Sequence, residues 1–79
     1  MNKAIVNDIG WVGVALILLA YLLNSLGTIS ASDTRYLLLN IAGSVCVGYE
    51  AFKKKDRQPV ALNIVWALIA VVALIRHWL

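Results

Sequence analysis

Three stretches, residues 9–27, 34–52 and 59–77, are apolar almost throughout and carry charged residues only at their ends. Each is close to the roughly 20 residues that a helix needs to cross the hydrocarbon core of a bilayer. Three helices of a soluble bundle would each need a polar face, and these stretches have none. Of the 79 residues, 62% are hydrophobic and only 14% charged, and a soluble domain this short leaves a large share of its surface in water. The sequence therefore predicts an all-α, integral membrane bundle of three transmembrane helices, a single domain over residues 1–79. A cleaved secretory signal in the first stretch is disfavoured by Asp8, which interrupts the approach to the core, and by the length of the run.

Given three spans, Lys3, Lys53, Lys54, Lys55 and Arg57 fall on one side and Arg35 and Arg76 on the other. Basic residues near helix ends are retained in the cytoplasm. The expectation is a multi-pass protein of the cell's inner membrane, its N-terminus cytoplasmic and its C-terminus outside. The net charge of +3 then needs no nucleic acid: Lys53, Lys54, Lys55 and Arg57 suit anionic lipid headgroups. Turn chemistry agrees with three helices. Gly27 can take positive φ and end the first, Ser30 and Asp33 fit the capping pattern for the second, placing its start within residues 31–33, and Pro59 suits a first helical turn.

At about 100° per residue, Gly10, Gly13, Ile17, Ala20, Tyr21, Asn24, Ser25 and Thr28 share one arc of the first helix. Tyr36, Asn40, Gly43, Ser44 and Val47 share one on the second, and Asn63, Trp66, Ala67, Ala70 and Ala73 one on the third. Small residues let helices approach closely in lipid, and amides there find partners across helices. Gly10, Gly13, Gly43, Ala67 and Ala70 are the expected packing positions. Tyr21, Asn24, Ser25, Asn40, Ser44, Asn63 and Trp66 are the expected lining of a polar cavity, with glue between helices as the alternative role. Depth pairs Asn24 with Asn40 near the outer end and leaves Asn63 in the cytoplasmic half.

No catalytic constellation is present. His77 has no carboxylate or second ligand at metal spacing and suits an interfacial anchor with Trp78, as does Trp11. Cys46, the one cysteine, suits packing. Glu50 lies on the membrane side of the lysines, where it either snorkels or contacts a solute or coupling ion. No enzyme activity, cofactor or metal is expected.

The stretches DIGWVGVALILLAYLLNSLG and YLLLNIAGS, followed by a polar loop, Pro59 and ALNIVW, resemble small, uncharacterised bacterial three-helix membrane proteins labelled permeases or transporters. More distantly they are similar to the SemiSWEET half-transporters of the PQ-loop class. There, a three-helix unit dimerises around a solute path, with an asparagine after a proline on the third helix. Pro59 and Asn63 match that pair, Ile9-Gly10 the opening of the first helix, and Gly43 a glycine on the second. Leu23-Asn24 stands where the class keeps Pro-Gln. The resemblance implies a homodimeric half-transporter for a small polar solute. The alternative is an accessory subunit of a larger membrane complex.

Overall fold

A computed structural model describes residues 2–79, which form three α-helices and no strand: α1 (Lys3–Ser25), α2 (Thr34–Lys53) and α3 (Arg57–Trp78). The helix α1 starts well before the apolar stretch, because Asn2 Oδ1 accepts from the Ala4 N–H at 2.7 Å. That bond satisfies one of the first-turn amides left without an intrahelical partner. At the other end Gly27, at φ +77°, lets the Gly27 and Thr28 amides turn back to Asn24 O and Leu23 O at 3.0 and 2.9 Å, a Schellman closure.

The helix α2 ends in the same way without a glycine. Lys55 takes φ +60°, and the amides of Lys55 and Asp56 return to Phe52 O and Ala51 O at 3.1 and 2.9 Å. A side chain in this left-handed region costs about 1–2 kcal/mol. The start of α2 corrects the expectation that Ser30 caps it. Asp33 is the cap, its Oδ1 accepting from the Arg35 N–H at 2.8 Å, while Ser30 Oγ lies 3.3 Å from Ser32 Oγ. The Arg35 guanidinium closes on the same carboxylate through Nε and NH2 at 3.1 and 3.0 Å. These bonds hold the Asp33 carboxyl below its ordinary value. Pro59 lies in the first turn of α3, where its missing N–H is no loss.

Helix α2 is the centre of the fold. It packs on α1 and on α3, whereas among the described residues no Cα of α1 comes within 8 Å of one in α3. The α1–α2 seam is built on glycines: a Cβ on Gly13 would sit 2.7 Å from both Cys46 Cβ and Gly43 O, and one on Gly43 would sit 2.6 Å from Ile17 Cγ1. Toward one end of the seam the Glu50 side chain lies over Gly10. Along the α2–α3 seam the buried Leu37 and Asn40 share a lining with Ala70, and the buried Ser44 shares one with Asn63. On α2 these two contact faces are about 110° apart at 100° per residue. The helices α1 and α3 therefore stand as walls beside α2, and an open trough runs between them.

By length and composition α1 and α3 can cross a membrane, with mean hydropathies of 1.9 and 2.2 in their most apolar windows. Only 22% and 11% of those windows are buried, unlike the core helices of a soluble protein. The helix α2 does not meet the same standard. Arg35, Asn40, Ser44, Glu50 and two tyrosines dilute its apolar content. The expectation of three spans thus holds by composition for two of the three helices.

Candidate functional site

Asn40 of α2 and Trp66 of α3 meet on the floor of the trough. Asn40, 5% exposed, donates from Nδ2 to Tyr36 O one turn back at 2.9 Å. Its own helix so satisfies the amide N–H, and Oδ1 is left pointing outward. Trp66 Nε1 donates to that oxygen at 3.1 Å. The depth pairing of Asn40 with Asn24 is corrected by this bond. Asn24 Nδ2 instead donates to Ile29 O at 3.1 Å and ties the end of α1 to the loop after it.

Asn40 and Trp66 line a cleft of about 390 Å³ together with Tyr36, Leu37, Ile69 and Ala73. The indole of Trp66 is held at one edge by its hydrogen bond and remains 46% exposed, so it covers the floor like a hinged plate. Tyr21 and Ser25 are exposed on the flank of α1 that faces this trough. The opposite flank is fixed by Leu23, which lines a hollow with Leu39 and Ala42 on the side of α2 away from α3.

Asn63 and Ser44 lie on the far side of the α2–α3 contact, not on the trough floor. Asn63, 8% exposed, repeats the arrangement of Asn40 by donating to Pro59 O at 2.8 Å. With Ser44, Gly48 and Ala67 it lines a second hollow of about 330 Å³. The Ser44 hydroxyl is 1% exposed and has no hydrogen-bond partner among the described residues. Gly10, Gly13, Gly43 and Ala70 are buried and Ala67 half-buried, all in the seams.

One polar cluster was not expected from the sequence. Lys54 Nζ bridges Asn7 Oδ1 at 3.2 Å and Glu50 Oε2 at 3.3 Å, fastening the first turns of α1 to the end of α2. The signal for it was the spacing of Glu50 and Lys54, four apart on one helix, together with Gly10 as the space for a carboxylate. Asn7 carried no signal, since an asparagine near a helix start is commonplace.

Chemically, the trough floor offers amide and phenol hydrogen bonding between an indole and two tyrosine rings. The residues lining the cleft include no carboxylate, amine, imidazole or thiol. Among the described residues no three His, Cys, Asp or Glu side chains gather to hold a metal ion.

A protein-family model matches residues 6–79, nearly the whole chain, and the function of that family is uncharacterised. No curated protein and no solved structure matches.

Proposed function

Because the chain belongs to that uncharacterised family, we propose from its geometry that it is a three-span membrane protein, two copies of which close trough to trough around a path for a small polar solute. The observation that carries this reading is the hydrogen-bonded Asn40–Trp66 pair on the floor of a trough that one chain leaves open. Polar groups in a membrane face a bundle interior or a water-filled cavity rather than lipid. A second copy covering the trough supplies that interior.

The low mean hydropathy of α2 is compatible with a span, because it averages over groups that are turned inward. Asn40 and Ser44 are buried, whereas Leu38, Val45 and Phe52 are 50, 60 and 66% exposed. Twenty residues at about 1.5 Å each match a hydrocarbon core of about 30 Å. The basic residues at the α2–α3 end then favour a cytoplasmic N-terminus in the inner membrane.

Oligomeric state in a mild detergent, followed by solute flux in liposomes, tests the reading. Tyr21→Cys should cross-link between two copies, and Asn40→Leu should remove flux while the dimer persists. A strictly monomeric chain would overturn it. The same exposed faces of α1 and α3 would also fit an accessory subunit of a larger complex, and stoichiometric co-purification with other membrane subunits would establish that alternative.

A further inference from the structure

Away from the trough floor, at the opposite end of the fold, a cleft of about 720 Å³ opens between the first turns of α1 and the end of α2. Its lining is Lys3, Ala4, Val6 and Asn7 from α1 and Lys53, Lys54 and Lys55 from the end of α2. We propose that this cleft is a binding site for a phosphomonoester, with Lys3 on one wall and Lys53, Lys54 and Lys55 on the other. This cleft is separate from the trough and would bind its ligand whether or not the trough carries a solute.

Charge is the first reason. Four ammonium groups line one cleft, and among the described residues only Lys54 has a carboxylate partner, Glu50. The lining therefore holds about three uncompensated positive charges at neutral pH. A phosphomonoester carries about −1.5 to −2 and neutralises them better than a singly charged diester does.

Construction is the second reason. Different local features bring the four lysines to the lining of this cleft. Lys54 is held by Asn7 and Glu50. Lys53 lies with Nζ 5.6 Å from the centre of the Tyr49 ring, which limits where its chain can swing. Lys55 leaves the helix axis through its left-handed backbone. The Lys54–Asn7 bridge brings the first turns of α1, and Lys3 with them, to the basic loop. Asp56 and Arg57 lie toward α3 and line an adjoining hollow that shares Lys53 and Lys55 with this cleft but not Lys3 or Lys54.

A phosphomonoester at this level comes either from a lipid headgroup such as phosphatidic acid or from a soluble ester. The test titrates the full chain in detergent micelles with short-chain phosphatidic acid, glycerol 3-phosphate and short-chain phosphatidylglycerol, and follows the thermal midpoint. Saturable binding of a monoester is expected, with phosphatidylglycerol about tenfold weaker, as the loss of one charge-assisted hydrogen bond would give. Lys3→Gln and Lys55→Gln should each weaken monoester binding about tenfold, and Arg57→Gln about twofold or less. Phosphatidic acid and glycerol 3-phosphate binding alike assigns a soluble ester, and strong preference for the lipid assigns a headgroup. Absence of saturable monoester binding, equal binding of the diester, or equal losses from Arg57→Gln and Lys3→Gln would overturn the proposal.

Discussion

The indole N–H of Trp66 donates to Asn40 Oδ1 across 3.1 Å and is the hydrogen bond that joins α3 to α2 at the trough. Asn40 presents that oxygen only because its own N–H group is occupied by Tyr36 O. Loss of the indole donor leaves a carbonyl oxygen on a residue that is 5% exposed. Trp66→Phe should therefore destabilise the chain by about 1–2 kcal/mol in a mixed-micelle unfolding titration. With Asn40→Leu added, a double-mutant cycle should return a coupling of about 1 kcal/mol. Additive single effects would show that the bond contributes nothing to the packing of α3.

The α1–α2 seam makes a sharper demand. Both Gly13 and Gly43 face backbone or branched side chains that a methyl group would meet at under 3 Å. Gly13→Ala and Gly43→Ala should each cost about 1–3 kcal/mol through overpacking, even though alanine is the better helix former by about 1 kcal/mol. Gly48 is the control on the same helix, since its added Cβ meets only Asn63 Cβ, at 3.3 Å. Gly48→Ala should cost less than either, and the same unfolding titration ranks the three. An equal cost at Gly48 would mean that helix flexibility rather than close approach sets the effect.

The contrast between these seams explains what the sequence could and could not convey. Number of helices and their small faces follow from composition and periodicity, which are properties of one helix at a time. Helix ends were harder: hydropathy marks where lipid would begin near Ile9, while hydrogen bonding starts α1 at Lys3. Ser30 and Asp33 were both capable caps, and only the backbone path through the loop chooses Asp33. Partners across helices were least legible. A helical wheel gives the face that holds Asn40 but not the rotation of α3 against it, so equal depth suggested Asn24 where Trp66 in fact reaches. Asn63 lies beside Gly48, about two turns along α2 from Asn40, and its position behind the α2–α3 contact depends on that same rotation.

The cap at Asp33 gives a pH dependence of known sign. Hydrogen bonds from the Arg35 side chain and backbone hold the carboxyl below its ordinary value of 3.8. A depressed folded value means that the unfolded chain binds the proton first as pH falls. The contribution of the cap is thus complete above the ordinary value and is lost as pH drops through the lower folded one. Asp33→Asn retains an acceptor for the Arg35 N–H but cannot titrate, so its stability should fall less than that of the wild type between pH 5 and pH 2, about the range in which such carboxylates titrate. Parallel acid-unfolding curves for the two would contradict this assignment.

Ser44 is a buried hydroxyl without a partner among the described residues. A polar group desolvated and unpaired costs about 1–3 kcal/mol, and serine is also a weaker helix former than alanine. Ser44→Ala should accordingly raise stability by about 1 kcal/mol or more, measured in the same micelles. A loss of stability would show that the hydroxyl is bonded, to water or to the Asn40 carbonyl one turn back.

Lys55 brings stability and the basic cleft into opposition. Its left-handed backbone at φ +60° closes α2, a conformation that glycine adopts without a Cβ penalty. Replacement by glycine should stabilise the chain by about 1 kcal/mol and retain the amide bonds to Phe52 O and Ala51 O. It also removes one of the four ammonium groups lining the cleft between α1 and α2. Lys55→Gly should therefore raise the unfolding midpoint without ligand and diminish the further rise produced by a phosphomonoester. A destabilised Lys55→Gly would instead show that the lysine side chain itself supports the turn, and the backbone account of this helix end would fail.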